Sequence, residues 1–416
     1  MNTASTPRNQ ASDLHELTSI REAHVFKGDR LAAALRRLPG GVEFRYLPEY
    51  LAAGGPSVAS TLPLIDSPTL TPAGAVPPYF AGLLPEGRRL SSLRRAVKTS
   101  ADDDLSLLLA VGTDTVGDVT VLPAGEVPAE PQPLVVADRD FDELSFGDLL
   151  DAAGVVDPVA LAGVQDKMST RVLSLPVQHS GRRYILKLDT PDTPHIVANE
   201  DYFIRLAAAA RFPVVSASVV HDATGRPGLL VQRFDRQATP EGGTVSLAVE
   251  DGAQALGIYP ADKYAVSAET VIGRLCDLCA ARPVALRDIY RQLVFAWLTG
   301  NGDVHAKNLS VVRSDGEWRV SPAYDLPSTL PYLDTTMALT MLGKKSGFSR
   351  RKLLEFAAVI GLPPKVASRV LDEVLAATEP VLDWPASSPY RLDTRRDVLR
   401  SLRQRRRLVI ASHGPA

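Results

Sequence analysis

Apolar positions in the first 120 or so residues alternate in short runs, as in Val42–Leu47 and Thr115–Leu122, between Pro- and Gly-bearing turns. A period of two predicts half-buried strands. The stretch Tyr79–Val97 keeps helical spacing instead, so residues 14–122 read as a small α+β unit behind a polar, disordered tail at 1–13. The pattern breaks at Pro123–Pro133, where Pro and Glu replace large apolar residues. Such a segment gains little by burial and extends easily, which predicts a linker over 123–137. Beyond it, Met168–Leu175 and Tyr184–Leu188 predict two strands joined by a turn at Ser180-Gly181. Asn199 is placed to cap a helix running to Ala210, with Glu200 in its first turn and Pro213 ending it. Val214–His221 and Gly228–Phe234 flank the turn Asp222–Pro227 as further strands.

The period then changes to that of helices, at Ala268–Ala281, Leu286–Thr299, Arg350–Val359, Lys365–Ala377 and Asp393–Ala411. A β-rich part (138–236) followed by an α-rich part (237–416) predicts an α+β, bilobal arrangement with a ligand cleft between the lobes. At 416 residues the chain is long enough for two or three compact units, and its net charge of −2 gives no protein-wide field that would draw it to nucleic acid or anionic membrane. The polar N-terminus carries no secretory signal and no apolar run spans a bilayer, which predicts a cytoplasmic protein without a membrane partner. Cys276 and Cys279, the only cysteines, form a CxxC that could bind metal or act in redox chemistry. Without a second such pair, inward packing on an amphipathic helix is the favoured reading.

Chemistry concentrates in Asn301-Gly302-Asp303-Val304-His305-Ala306-Lys307-Asn308, a polar loop between the apolar helix ending at Leu298 and the strand Leu309–Val312. Asp303 and Asn308 have the spacing of a kinase catalytic loop, where the Asp accepts the proton of the substrate hydroxyl and the Asn holds magnesium. Asp325, after a short hairpin, supplies a second carboxylate in the role of a metal ligand. Lys187, on an apolar strand, supplies a cation for phosphate, and Glu200 on the next helix is its natural ion-pair partner. Taken singly, each has a bland explanation: a snorkelling lysine, a capping carboxylate, the start of a turn. Their joint order is that of a kinase that transfers the γ-phosphoryl group of ATP.

With these residues in view, the chain resembles the HipA family of bacterial serine/threonine kinase toxins from about residue 20 to 410. The resemblance is carried by Ala162-Gly163-Val164-Gln165-Asp166-Lys167, Ile185-Leu186-Lys187, Asn199-Glu200, Gln232–Arg236, Glu250–Gln254, Lys263-Tyr264, Gly302–Asn308 and Ala323-Tyr324-Asp325. Leu83–Gly87 and Val116–Val119 resemble the family's N-terminal subdomain.

The resemblance implies a bilobal protein-kinase-like fold that uses ATP and Mg2+. Gly163, Val164, Gln165 and Lys167 would lie over the ATP phosphates, with Lys187 on phosphate. Gln232, Phe234, His305 and Tyr324 would line the nucleotide site. Asp303 would be the general base, Lys307 a cation near the transferring phosphoryl group, and Asn308 and Asp325 the magnesium ligands. Glu250–Gln254 and Lys263-Tyr264 read as a capped helix and a surface turn, placed beside the cleft without a catalytic role. The resemblance also implies a HipB-like helix-turn-helix antitoxin, operator DNA bound mainly through that antitoxin, and an aminoacyl-tRNA synthetase as substrate.

Ala160 stands where family members often carry an autophosphorylated serine, so silencing by that route is in doubt. The basic stretch Arg395–Arg407 could touch DNA phosphates, but it reads better as the solvated face of a helix with Leu399, Leu402, Leu408 and Ile410 inward. A small-molecule kinase of the aminoglycoside-phosphotransferase type shares the loop, and a catalytically idle repressor subunit is a further alternative. The extra N-terminal unit and the Gly163–Lys167 block weigh against the first, and the intact Asp303, Asn308 and Asp325 against the second.

Overall fold

The computed structural model describes residues 14–100, 102–129, 136–137, 141–152, 173–239 and 243–410. They fall into two compact units, the first ending near residue 129 and the second beginning near 136.

The first unit is built on an antiparallel sheet of β1 (Glu22–Lys27), β2 (Arg30–Leu38), β3 (Gly41–Tyr46), β4 (Thr69–Pro72) and β5 (Val119–Pro123), in the order β4-β3-β2-β1-β5. Its helices are α1 (Pro48–Ala52), α2 (Pro78–Ala81), α3 (Gly87–Val97) and α4 (Asp104–Val111). The predicted helix Tyr79–Val97 is thus two helices, because Pro85 and the positive φ of Gly87 (55°) break it. Asp103 caps α4, accepting from the Ser106 amide, and pairs with Arg37 of β2 at 2.6 Å. Lys27, buried in β1, meets Asp118 at 2.7 Å and donates to the Val58 carbonyl at 3.2 Å.

The second unit opens with a mixed sheet of β6 (Val136–Ala137), β7 (Leu173–His179), β8 (Arg182–Leu188), β9 (Ala217–His221) and β10 (Pro227–Gln232), ordered β6-β7-β8-β10-β9. α5 (Phe146–Ala152) precedes β7, and α6 (Ile196–Ala209) lies between β8 and β9. The β7–β8 hairpin turns at Ser180 and Gly181, both at positive φ (48° and 71°), which is the turn geometry that matches strand twist. The predicted first strand reaches back to Met168, but residues 168–172 lie outside the described residues.

α6 begins three residues before Asn199. Asp189 satisfies its first turn by accepting the Val197 amide at 2.9 Å, while Asn199 sits one turn inside with its side chain buried. β11 (Arg236–Ala238) and β12 (Thr244–Ser246) form a small hairpin. β13 (Val249–Asp251), β14 (Ser310–Ser314) and β15 (Glu317–Val320) make a three-stranded sheet.

The remainder is helical: α7 (Gly252–Leu256), α8 (Ala268–Leu278), α9 (Arg282–Thr299), α10 (Arg350–Val359), α11 (Pro364–Ala377), α12 (Trp384–Ser387) and α13 (Leu392–Ile410). α9 runs through the middle and buries Leu293, Val294, Phe295, Ala296, Trp297 and Leu298 on all sides, so it shows little amphipathic pattern. It starts at Arg282, earlier than its apolar run suggests, because Pro283 occupies its first turn, where no amide is needed. Cys276 and Cys279 are buried in this core and are not disulfide-bonded. The α13 reading needs correction. Arg405 and Arg406 are buried, while Ile410 is exposed; Val398, Leu402 and Val409 form the inward stripe. No helix among the described residues is long and apolar enough to cross a membrane.

Candidate active site

α9 ends at Gly300, whose φ of 76° reverses the chain into the loop Asn301–Asn308. Asn301 accepts the Asp303 amide at 3.0 Å and donates to the Asp325 carbonyl at 3.1 Å. Asn308 donates to the Asp303 carbonyl at 2.9 Å. The backbone of Asp303 is therefore held from both sides, and its side chain, almost fully buried, accepts the Tyr264 hydroxyl at 3.1 Å. Below the loop, α7 approaches so closely that a Cβ on Gly252 would lie 2.7 Å from the Ala306 carbonyl oxygen. Asp251 and Gln254 cap α7 reciprocally, fixing its start, as expected of a capped helix.

The second half of the site comes from β8, α6 and the segment after β15. Lys187 donates to both Glu200 oxygens, at 2.7 and 2.9 Å, and to Asp325 Oδ1 at 2.9 Å. Asn308 donates to Asp325 Oδ2 at 3.1 Å. Burial opposes ionisation throughout this cluster. For Lys187 the attraction of Asp325 and Glu200 outweighs it and raises the ammonium pKa above its ordinary value. Asp325 is likewise pushed up by burial but pulled further down by Lys187, so it stays below the usual carboxylate range. Glu200 is the most enclosed of the three, and burial pushes it above that range against the pull of Lys187. Asp325 also sits at φ 57°, in the left-handed region that Asp, Asn and Gly tolerate best.

Phe234 and Tyr324 stack at 5.6 Å between centroids, and the Tyr324 hydroxyl donates to the Lys307 carbonyl at 2.6 Å. Half-buried Gln232 ends β10 two residues before Phe234, its amide donating to the Ser216 carbonyl at 2.8 Å. His305 is buried, edge-on to Tyr264 at 5.1 Å, and Lys307 is half-exposed. Gly163, Val164, Gln165 and Lys167, and with them Ala160, lie outside the described residues.

Residues 23–122 match the HipA N-terminal domain, and residues 159–382 match the HipA-like C-terminal domain, more than half of the chain. The chain belongs to the HipA family of serine/threonine kinases. Within the HipA family it is 33% identical to "Putative kinase Y4dM" of Sinorhizobium fredii, over 70% of this chain and 72% of that one. It is 27% identical to "Serine/threonine-protein kinase toxin HipA" of Shewanella oneidensis, over 71% of this chain and 72% of that protein. Its fold matches a chain in the solved Shewanella oneidensis MR-1 complex of HipA, HipB and operator DNA with a TM-score of 0.74. That match has 21% identity and covers 94% of this chain and 97% of that one.

Three residues of this HipA-family site were missed or undervalued in the sequence. Asn301 shapes the loop, although it stands outside the Asp-to-Asn spacing. Lys263 and Tyr264 are no surface turn: Lys263 is buried, its carbonyl accepts the Ala306 amide at 3.2 Å, and its ammonium lies 5.1 Å from the Tyr264 ring centroid. Their recurrence beside the catalytic motifs was the available signal.

Proposed function

We propose that this chain transfers the γ-phosphoryl group of ATP to a serine or threonine hydroxyl of a protein, with Asp303 accepting the hydroxyl proton. One observation carries the reading. Glu200, Lys187, Asp325, Asn308 and Asp303 come from four separate parts of the chain and are joined by an unbroken series of hydrogen bonds.

Lys187 would bind phosphate oxygens, held in place by Glu200. The stacked pair Phe234 and Tyr324, with Gln232 and His305, would line the nucleotide site, and Gly163, Val164, Gln165 and Lys167 would cover the phosphates. Lys307 would add positive charge beside the group in transfer. Asp325 and Asn308 are neighbours, Asn308 Nδ2 donating to Asp325 Oδ2 at 3.1 Å, and the Asp325 carboxylate and the Asn308 amide oxygen are the donors that would hold a magnesium ion. Among the described residues no group of three or more His, Cys, Asp or Glu side chains could cage a metal by itself. That sparse, all-oxygen set suits an ion that takes its other ligands from phosphate and water. When bound, magnesium neutralises phosphate charge; the proton at the acceptor hydroxyl remains the business of Asp303.

Residues 14–122 would serve as the N-terminal subdomain, with 138–236 and 237–416 as the two kinase lobes. One named relative is a HipA toxin and the matched solved structure is a complex of HipA, HipB and operator DNA, which supports a toxin role neutralised by a HipB-like antitoxin that brings the pair to operator DNA; the place of action would be the cytoplasm. An aminoacyl-tRNA synthetase is the proposed acceptor. Incubation with labelled ATP and a panel of purified synthetases, followed by site mapping, tests class and acceptor together. A discrete labelled protein is expected, and Asp303→Ala is expected to lower transfer by roughly 10²–10⁴-fold while ATP still binds. In a whole-cell lysate given the same labelled ATP, label confined to small metabolites would overturn the reading, as would full activity of that variant.

A further inference from the structure

Glu200 orients Lys187, so whatever fixes α6 also sets the geometry of phosphate binding. The neighbouring Asn199 is almost fully buried, and its amide makes two bonds to a single residue. Nδ2 donates to the Ser328 carbonyl and Oδ1 accepts the Ser328 amide, both at 2.9 Å. The backbone amide of Leu326 lies where it favours the charged form of Glu200. Asn199 of α6 therefore grips the main chain three residues beyond Asp325, and Glu200 beside it faces the residue that follows Asp325.

Asn199 Nδ2 is also 3.0 Å from the Tyr390 hydroxyl, which lies 2.9 Å from that of Tyr332. Tyr332 in turn donates to the Pro194 carbonyl at 3.1 Å, just before α6. Tyr390 packs edge-on against His195, the residue at φ 64° that leads into the helix. One turn along α6, Phe203 and Tyr202 rest on Trp384, at 4.7 and 5.8 Å between centroids. Trp384 and Tyr390 both lie beyond residue 382, where the match to the HipA-like C-terminal domain ends.

We infer that Asn199, Tyr332 and Tyr390 are positioning residues for phosphoryl transfer, through which the C-terminal segment 384–390 clamps α6 onto the stretch following Asp325. The clamp acts on the reacting groups only through Glu200 and Lys187, and it rests on the phosphoryl-transfer reading above. A buried amide that satisfies both main-chain groups of one residue leaves α6 little freedom to swing away, since any such motion strands Ser328 unbonded in the core. The Glu200–Lys187 pair is thereby held by the protein's own tail.

The test is ADP formation from Mg·ATP, with the panel of synthetases present to accept the phosphoryl group on a protein hydroxyl, by the full chain and by Asn199→Ala, Tyr390→Phe, their combination, and each placed on Glu200→Gln. Tyr390→Phe removes one hydroxyl and keeps the ring, so the fold persists, as melting above the assay temperature verifies. Each single variant is expected to lose roughly tenfold in kcat, about the worth of one buried hydrogen bond. The combination should lose scarcely more than either, because both break one network. On Glu200→Gln neither should have a further effect. A folded single variant with the wild-type kcat overturns the inference. So do losses that multiply undiminished onto Glu200→Gln, because they would mark a merely structural role. A wild type that forms no ADP overturns the phosphoryl-transfer reading itself and the inference with it. An active wild type matched by its variants overturns the inference alone.

Discussion

A base, the role proposed for Asp303, can take a proton from an incoming hydroxyl only while its oxygen points the right way, and in this loop the Tyr264 hydroxyl constrains Asp303 by donating to its Oδ1. Tyr264→Phe is therefore expected to lower kcat about 3- to 10-fold and leave the KM for ATP unchanged, as steady-state kinetics will read. Asp325 gives a prediction in pH. Its folded pKa lies below the ordinary value, so the unfolded chain binds more protons in acid. The stability supplied by its pairing is complete above the unfolded value of about 3.9 and is lost as pH falls through the lower folded one. Asp325→Asn should flatten the fall in urea midpoint below about pH 5 and leave the slope between neutrality and pH 8 unchanged. Lys187 does not interfere with that window: its raised pKa contributes below the unfolded value of about 10.4 and is lost only in more alkaline solution.

Among the elements, α13 shows what a run of arginines conceals. Arg405 donates to the Trp297 and Thr335 carbonyls at 2.8 and 2.7 Å and lies 4.3 Å from the Trp297 ring centroid. Burial pushes its guanidinium down to about 10, with Asp334 pulling the other way. Arg406 donates to Thr378 and to the Leu375 carbonyl. Arg405→Ala should destabilise the fold by about 2–4 kcal/mol, against less than about 0.5 for exposed Arg403→Ala, in chemical denaturation. The sequence could not separate these arginines, because a long side chain at a helical position is equally suited to solvent and to a buried carbonyl. Asn199 misled for a related reason. Its type suits a helix start, but the cap came from Asp189, upstream of the helix, and that pairing has no local pattern. By contrast the β7–β8 hairpin, the loop between α9 and β14, and the order Lys187, Glu200, Asp303, Asn308, Asp325 were legible, since turn chemistry and motif spacing are local. Asn301 and Tyr264 reach the loop through contacts that only folding creates.

At the scale of the molecule, the two units have separate sheets and separate cores. Every described residue proposed to touch nucleotide belongs to the second. Calorimetry is expected to resolve two transitions, of which Mg·ATP raises only that of the second unit, by about 2.7 kcal/mol at a hundredfold excess over Kd. A single transition, raised as a whole by Mg·ATP, would mean that the units unfold as one.

The left-handed backbone of Asp325 has a consequence for ancestry. Loss of the carboxylate by mutation to alanine would cost both the charge and roughly 1–2 kcal/mol of backbone strain, whereas asparagine or glycine would lose only the charge. Lineages descended from such an enzyme that abandon phosphoryl transfer but keep the fold should thus drift to Asn or Gly at this position. The record of a retired kinase would then be written by a torsion angle.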